Sequence, residues 1–371
     1  MKHIDHIPLP VVSDWENLNW FTSGTASEDT LIWTQAMALQ VLDGGGVVWL
    51  KGMGESHKVF CSRVGGAYKN GRSLSLNPFA NVTRETLSVM DESLRELLCI
   101  MACPNGQLEE VLELLLLEAV TELWPHYQQD MRIDHVIEFL KAHQRKMSMQ
   151  YAAQIVDRID GVVTQLNKYT TWGLYSAYFS SSEPALEESE PFMVTDMLDL
   201  HTQDDLLTVG LCSMMLRHES LMYDRPRRQR KMDITDGCWE RQSGTSDRLG
   251  VFVEQRYRMA RRFNASYGTV SKNLRDKNRN FALLNAFNNS AFTFTLMQDI
   301  DALSLFRGEE LETFSSQEWA LIEALATPEQ AEHITFLLSK GKYSRLHSLR
   351  SDLIETVAKR RVKVSNVEGE A

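Results

Sequence analysis

RKMDITDGCWERQSGTSDRLGVFVEQRYRMARRFNASYGTVSKNLRD, residues 230–276, is the stretch that decides the fold. A short run at 232–238 ends in an acid and a small residue. A polar loop follows, then an arginine-rich amphipathic segment over 251–264 and a second short strand-like run over 266–271. Strand, loop, helix and strand in that order form one parallel βαβ unit, and such units bind ligands at the carboxyl ends of their strands. Asp236 and Ser271 fall at those ends.

The same grammar recurs near the amino terminus. Residues 17–23 (NLNWFTS) are strand-like, 24–29 (GTASED) form a loop, 31–42 carry apolar residues on a helical period, and VVWL at 47–50 follows a Gly-rich stop. A loop between a first strand and its helix is where phosphate is cradled, so it is compared with G-x-x-x-x-G-K-[ST]. Gly24 serves as the first glycine, and Thr25 follows it. The second glycine, the lysine and the hydroxyl residue fall on Asp29, Thr30 and Leu31. The lysine supplies a point charge to the β and γ phosphates and the hydroxyl ligates magnesium. Glu28 and Asp29 would instead repel a triphosphate.

Working further out, residues 1–16 read as an irregular leader, and 65–81 as a hairpin around Lys69-Asn70-Gly71. From 83 to 169 the apolar spacing is helical throughout, in segments at 94–101, 108–124, 133–142 and 151–166. A polar loop over 171–192 leads to a strand at 193–198 and a Leu- and Met-rich helix at 206–222. The basic loop RPRRQRK at 225–231 reads as a solvated connection rather than a nucleic-acid patch. FTFTL at 292–296 alternates as a strand should. Residues 300–357 read as helices, including 316–325 and 328–338, and 362–371 as a frayed tail.

The chain has 371 residues, 43% of them apolar and 24% charged, which is the composition of a folded globular protein. A net charge of -11 argues against a generally nucleic-acid-binding surface. The five cysteines form no C-x-x-C pair and fit a reducing cytoplasm, and the ten histidines show no zinc spacing, so no metal ligand is assigned. There is no export signal and no run of 18 apolar residues. The expectation is a cytoplasmic protein whose membrane association, if any, is peripheral.

Several stretches together resemble one family. NLNWFTSGTASEDT, MGESHKVFC, LNPFANV, MACPNGQLEEVLELLLLEAV, VDRIDGVVTQLNKYTTWGLYSAYF, RKMDITDGCW, FVEQRYRMARRFNASYGTVSKNLRD and NNSAFTFTLMQ look, in the same order, like segments of the TraC-type ATPases of F-like conjugative type IV secretion systems. The likeness covers residues 17–298. It implies an α/β, RecA-like P-loop NTPase fold, with a mostly parallel sheet flanked by helices and an all-helical insertion. The implied layout is a leader arm at 1–16, an ATPase-like core at 17–82 and 170–300, the insertion at 83–169, C-terminal helices at 301–361 and a flexible tail at 362–371. Family members hydrolyse ATP with magnesium, form hexamers and energise pilus assembly and DNA or protein transfer at the inner membrane.

Carried over residue by residue, the resemblance places the phosphate-binding lysine on Thr30 and the next hydroxyl on Leu31. A family acid falls on Gly52, whereas Gly54, Lys58 and Cys61 match. Of the acid pair that holds magnesium and polarises water, Asp236 is kept and the second member is Gly237. The glutamine near the γ phosphate is Lys272. Asp233 intrudes into a strand that should be buried, where an unpaired carboxylate is costly. Arg258, Arg261 and Arg262 stand at the family's arginine positions, one of which could act across a subunit boundary; the plainer reading is a basic helix face. The implied partners are type IV secretion ATPase subunits, in a homo- or hetero-oligomer, and inner-membrane secretion components. No sequence-specific nucleic-acid binding is implied. The favoured reading is a non-hydrolysing scaffold that binds no cofactor. The alternatives are an active or partner-complemented motor subunit and a truncated remnant, since the chain begins just before the nucleotide loop.

Overall fold

The computed structural model describes residues 2–4, 17–25, 28–104, 106–147, 153–183, 190–241, 247–309, 314–325, 333–340 and 343–350. Among the described residues ten strands make one sheet: β1 (Lys2–Ile4), β2 (Trp20–Ser23), β3 (Val47–Gly52), β4 (Ala67–Asn70), β5 (Phe192–Asp196), β6 (Lys231–Asp236), β7 (Ala265–Ser271), β8 (Phe292–Thr295), β9 (His333–Lys340) and β10 (Tyr343–Arg350). Their order is β1-β10-β9-β8-β2-β7-β6-β3-β5-β4. From β8 to β4 every pairing is parallel, so β2, β3, β5, β6 and β7 present their carboxyl ends along one edge.

Burial on both faces explains the continuous apolar run VVWL that opens β3. Val48, Leu50, Met232 and Ile234 point into an apolar cluster with Trp33 and Met37 of α1 (Glu28–Asp43) and Phe60 of α2 (Lys58–Arg63). Trp49 points the other way. It joins a larger cluster built by α3 (Arg84–Ala102), α4 (Glu110–Tyr127), α5 (Ile133–Met147), α6 (Ala153–Leu166), α7 (Ser176–Phe179), α8 (Asp204–Asp224), α9 (Asp247–Ala260) and α10 (Phe281–Asn288). The helices over 84–166 therefore share their apolar core with one face of the sheet. Thr83 starts them with a reciprocal cap, its side chain and that of Thr86 each accepting from the other's backbone N–H.

Three stretches depart from the sequence reading. Lys2–Ile4, expected to be irregular, pairs parallel with β10. The expected hairpin at 65–81 is absent: β4 pairs parallel with β5, and Asn70 accepts the Arg72 N–H to start a 3-10 turn in place of a hairpin turn. The third departure lies at the carboxyl end. Beyond α11 (Ile300–Glu309) and α12 (Ser316–Ala324), the helix expected over 328–338 gives way to β9 and β10, an antiparallel pair against β8. A short apolar run such as ITFLL has no periodicity that separates helix from strand. The open edge of β8 decides it, because Ile334 and Phe336 then cover Trp33 while Leu337 packs with Phe306, Trp319 and Ile322 on the other side. Residues 326–332 and 351–371 lie outside the described residues.

Candidate functional site at the carboxyl edge

The loop after β2 is built from its own neighbours. The Gly24 N–H donates to the Ser271 carbonyl at 3.0 Å and the Thr25 N–H to the Met297 carbonyl at 2.9 Å. The Thr25 hydroxyl donates to that same carbonyl at 2.9 Å. Thr30 sits in the first turn of α1 and donates its hydroxyl to the Thr25 carbonyl at 2.7 Å. A Cβ added at Gly24 would lie 2.9 Å from the Leu296 Cβ and 3.0 Å from the Thr30 Oγ1, so that glycine is packed on both sides. Leu31 is half-buried in α1, and Ala26 and Ser27 lie outside the described residues. The first turn of α1 carries Glu28 and Asp29, and burial together with the Glu28 charge holds Asp29 above the usual carboxylate range. Two carboxylates suit the positive end of a helix and disfavour a phosphate there.

Two strands away, Asp236 ends β6. Its Oδ2 meets His57 Nε2 at 2.8 Å. His57 follows Gly54 in the turn after β3, and a Cβ at Gly52 would come within 3.1 Å of its Cδ2. The position where the resemblance expects an acid is therefore walled by an imidazole. Gly237 adopts φ +65, a backbone state in which a side chain is strained, and its N–H continues the ladder to Val270. Cys238 and Trp239 are buried behind it. Lys58 pairs with Glu55 at the surface, and Cys61 is a buried thiol pushed up to about 11, chiefly by burial.

Beneath Asp236 the sheet holds a charged centre. Asp233 is fully buried, and it is paired rather than isolated: one oxygen takes the Lys51 ammonium of β3 and the other takes His218 Nδ1 of α8 at 2.7 Å. Trp49 stacks on the His218 ring with centroids 5.0 Å apart. Burial alone would raise the Asp233 carboxyl, but His218 and Lys51 beside it hold it below the usual range. Burial pushes His218 down, with Asp233 opposing. His218 Nε2 is buried with no partner among the described residues, which suits a neutral ring with its proton on Nδ1. Lys51 is then the countercharge. The intrusion of Asp233, read from sequence as costly, is offset by partners from two other elements.

Sequence reasoning missed a third acid. Glu240 lies in a 3-10 turn after β6, and its Oε1 accepts the Lys272 N–H at 2.6 Å. Its Oε2 is buried with no partner among the described residues. Burial and the charge of Asp276 push this carboxyl up to about 7. Asp276 accepts from the Ser271 hydroxyl and the Asn273 N–H, at 3.2 and 3.1 Å. The Ser271 carbonyl in turn receives the Gly24 N–H, so Gly24 and Glu240 bond to the two sides of the Ser271–Lys272 peptide unit at the end of β7. Asp196 at the end of β5 was also missed; it accepts Gly54 N–H, Leu198 N–H and Tyr68 O–H. The signal available for Glu240 was only its place four residues past Asp236.

The arginines are elsewhere. α9 leaves the carboxyl end of β6 and returns to the amino end of β7, so Arg258 near its close, and Arg261 and Arg262 just beyond, lie on the opposite edge of the sheet. Arg258 pairs with Glu254 at 2.6 Å with its side chain 69% exposed. Arg256, not singled out from sequence, is the inward-facing member and meets Glu219 at 3.4 Å under the Phe252 ring. The structure thus brings together Gly24, Thr25, Thr30, Asp236, Gly237 and Lys272 along one edge, and separates them from Arg258 and Arg261.

Among the described residues no helix is long and apolar enough to cross a membrane. The family model for the TraG P-loop domain matches residues 2–330. The chain is 32% identical over 341 residues to protein TraC of Escherichia coli (strain K12), a match that covers 91% of this chain and 38% of the relative's length. Its fold is similar to VirB4 of Thermoanaerobacter pseudethanolicus, with a TM-score of 0.64 at 17% identity over 90% of this chain and 91% of that one. It is also similar to the bacterial conjugative coupling protein TrwBdeltaN70 in a complex with sulphate, with a TM-score of 0.61 at 10% identity over 95% and 90%. The architecture is that of the RecA-like P-loop ATPases, and the chain belongs to the TraG P-loop domain family, with the TraC-type kinship read from its sequence.

Proposed function

We propose that this chain is a non-hydrolysing, ATPase-like scaffold of a conjugative type IV secretion apparatus, assembled with ATPase subunits of the same family in a homo- or hetero-oligomer. It would work in the cytoplasm, peripheral to inner-membrane secretion components. The observation that carries the reading is that Thr30, at the position the resemblance assigns to the phosphate-binding lysine, turns its hydroxyl onto the Thr25 carbonyl. On this reading the residues do not fit a magnesium triphosphate. The loop has no cation of its own, Glu28 and Asp29 crowd its helix, and Gly237 offers no carboxylate. Catalysis of phosphoryl transfer consists almost wholly of positioning and electrostatic stabilisation, so these absences bear on the rate directly.

Equilibrium dialysis with labelled ATP and magnesium tests it. The expected result is no binding below about millimolar and no phosphate release; micromolar binding, or turnover abolished by Asp236→Ala, overturns the reading. One observation favours a second reading, an active or partner-complemented subunit. Burial and the Asp276 charge push the Glu240 carboxyl up to about 7, and it accepts the N–H of the Ser271–Lys272 peptide unit whose carbonyl holds the loop. ATP turnover by the chain mixed with a family ATPase, lost in Glu240→Gln, would establish that reading instead.

A further inference from the structure

Two arginine-rich stretches that are distant in sequence meet at the amino edge of the sheet, opposite the site just described. Residues 224–231 carry five positive charges and one negative, and residues 254–262 carry four and one. The first leads into β6 and the second closes α9 ahead of β7, and β6 and β7 are neighbours. Backbone hydrogen bonds fix them together. The Lys231 N–H donates to the Asn264 carbonyl at 3.1 Å, and the Asn264 side-chain amide donates to the Arg228 carbonyl at 3.0 Å. The Lys231 ammonium is turned inward onto the carbonyls of Pro226, Gln229 and Phe263. Asn264 itself adopts φ 54, the turn that swings the chain from Arg261–Phe263 into β7. Tyr223 and Phe263 pack edge to face beneath, with centroids 4.4 Å apart. The result is a rigid base from which Arg227, Arg228, Arg258, Arg261 and Arg262 are exposed.

Helix ends alone do not account for this density. Basic residues in a last turn complement the helix dipole, yet α8 has none there and α9 has only Arg258. Arg228 lies outside any helix, and Arg261 and Arg262 lie in the 3-10 turn that continues α9; none of the three makes an ion pair among the described residues. A half-buried member, Arg230, has its Nε and Nη2 buried with no hydrogen-bond partner among the described residues, and burial pushes it down to about 10. A guanidinium in that state is a donor in want of an acceptor.

We infer that this amino edge binds the phosphate backbone of nucleic acid without reading its sequence. Arginine prevails over lysine here, and its planar fork matches phosphate oxygens bidentately where an ammonium is only a point charge. Arg230, half-buried at the base of the patch, adds its positive charge beneath the exposed arginines. Among the described residues the patch presents no large exposed apolar side chain, so it has no wedge for the acyl region of a membrane. Glu28, Asp29, Asp236, Glu240 and Asp276 lie along the far edge. The inference is independent of whether the chain binds ATP.

The test is fluorescence anisotropy of a labelled single-stranded oligonucleotide of mixed sequence with the full chain, titrated from about 50 to about 200 mM salt. Binding is expected, equal for two scrambled sequences, with affinity falling linearly in log salt. Reversing Arg227, Arg228, Arg261 and Arg262 to Glu should weaken it at least about tenfold and flatten the salt slope by about 0.7 for each phosphate that is no longer neutralised. Arg261→Gln with Arg262→Gln, a milder pair at exposed positions, should do so in part, and circular dichroism melting confirms that each variant is folded. No binding at the lowest salt, unchanged affinity in the folded variants, or preference for phosphatidylserine vesicles over the oligonucleotide would each overturn the inference.

Discussion

The two edges of this sheet differ in chemistry. Along the carboxyl edge stand Glu28, Asp29, Asp196, Asp236, Glu240 and Asp276, and along the amino edge the arginines of 225–230 and 258–262. A parallel sheet directs ligands to its carboxyl edge, where helix starts and loops offer free N–H groups to phosphate. Here the loop at that edge satisfies itself and the acids are interleaved with Lys58, Arg72 and Lys272, while a dense run of arginines gathers where the fold supplies no phosphate loop. The comparison separates fold from function. Topology places an edge, but side chains decide what it attracts.

The largest effect expected from disturbing this arrangement lies midway between the edges. Lys51→Met leaves Asp233 buried with only a neutral imidazole and should destabilise the chain by about 3–5 kcal/mol, read as a lower urea midpoint. Adding Asp233→Leu should recover part of that loss, since apolar replacement of a buried pair is often tolerated. If single and double variants lose equally, charge compensation is not what secures this centre. Next comes an attempt to restore the lost acid. Gly237→Glu should cost about 1–2 kcal/mol, because φ +65 is strained for any side chain, and should give no ATP turnover. Turnover in that variant would erase the contrast between the edges.

The pH response should be smaller and of two signs. His218 is held below its ordinary 6.5, so the stability it contributes is full above that value and is lost as pH falls through its folded value. Asp233, also depressed, acts in the same sense below its ordinary 3.8. Glu240, raised from 4.5 to about 7, opposes them: its contribution is present at low pH and lost as pH rises across that window. Glu240→Gln should therefore steepen the rise in melting temperature between about pH 4.5 and 7. An unchanged profile would mean that Glu240 titrates normally. The smallest effect belongs to Arg258→Ala, which removes an exposed pair and should change stability by less than about 0.5 kcal/mol.

Much of the fold was legible in sequence because its strands are buried on both faces and its helices carry apolar stripes. Asp236 and Ser271 end their strands as the βαβ reading of 230–276 required. What failed was decided by distant partners. Lys2–Ile4 has too few residues to carry a pattern, and 333–340 becomes a strand only because β8 offers it an edge. Asp233 looked anomalous for the same reason, since Lys51 and His218 lie 182 and 15 residues away. At the site, the positions of Gly24, Thr30 and Gly237 could be read from spacing, yet the Thr30 bond to Thr25 and the conformation of Gly237 could not. Glu240 has no motif at all, and only the folding of its turn onto Lys272 gives it a place.

The pairing of β1 with β10 sets an order of events. Seven parallel strands, β8 to β4, are complete in chain order by Thr295, so they can assemble while the rest of the chain is still being made. Lys2–Ile4 is synthesised before any of them, yet its seat beside His347, Ser348 and Leu349 does not exist until β10 has been made and has paired with β9. Of the described strands, the earliest in sequence is thus the last to find its neighbour, and that far margin of the sheet closes as a latch of β1 onto β10.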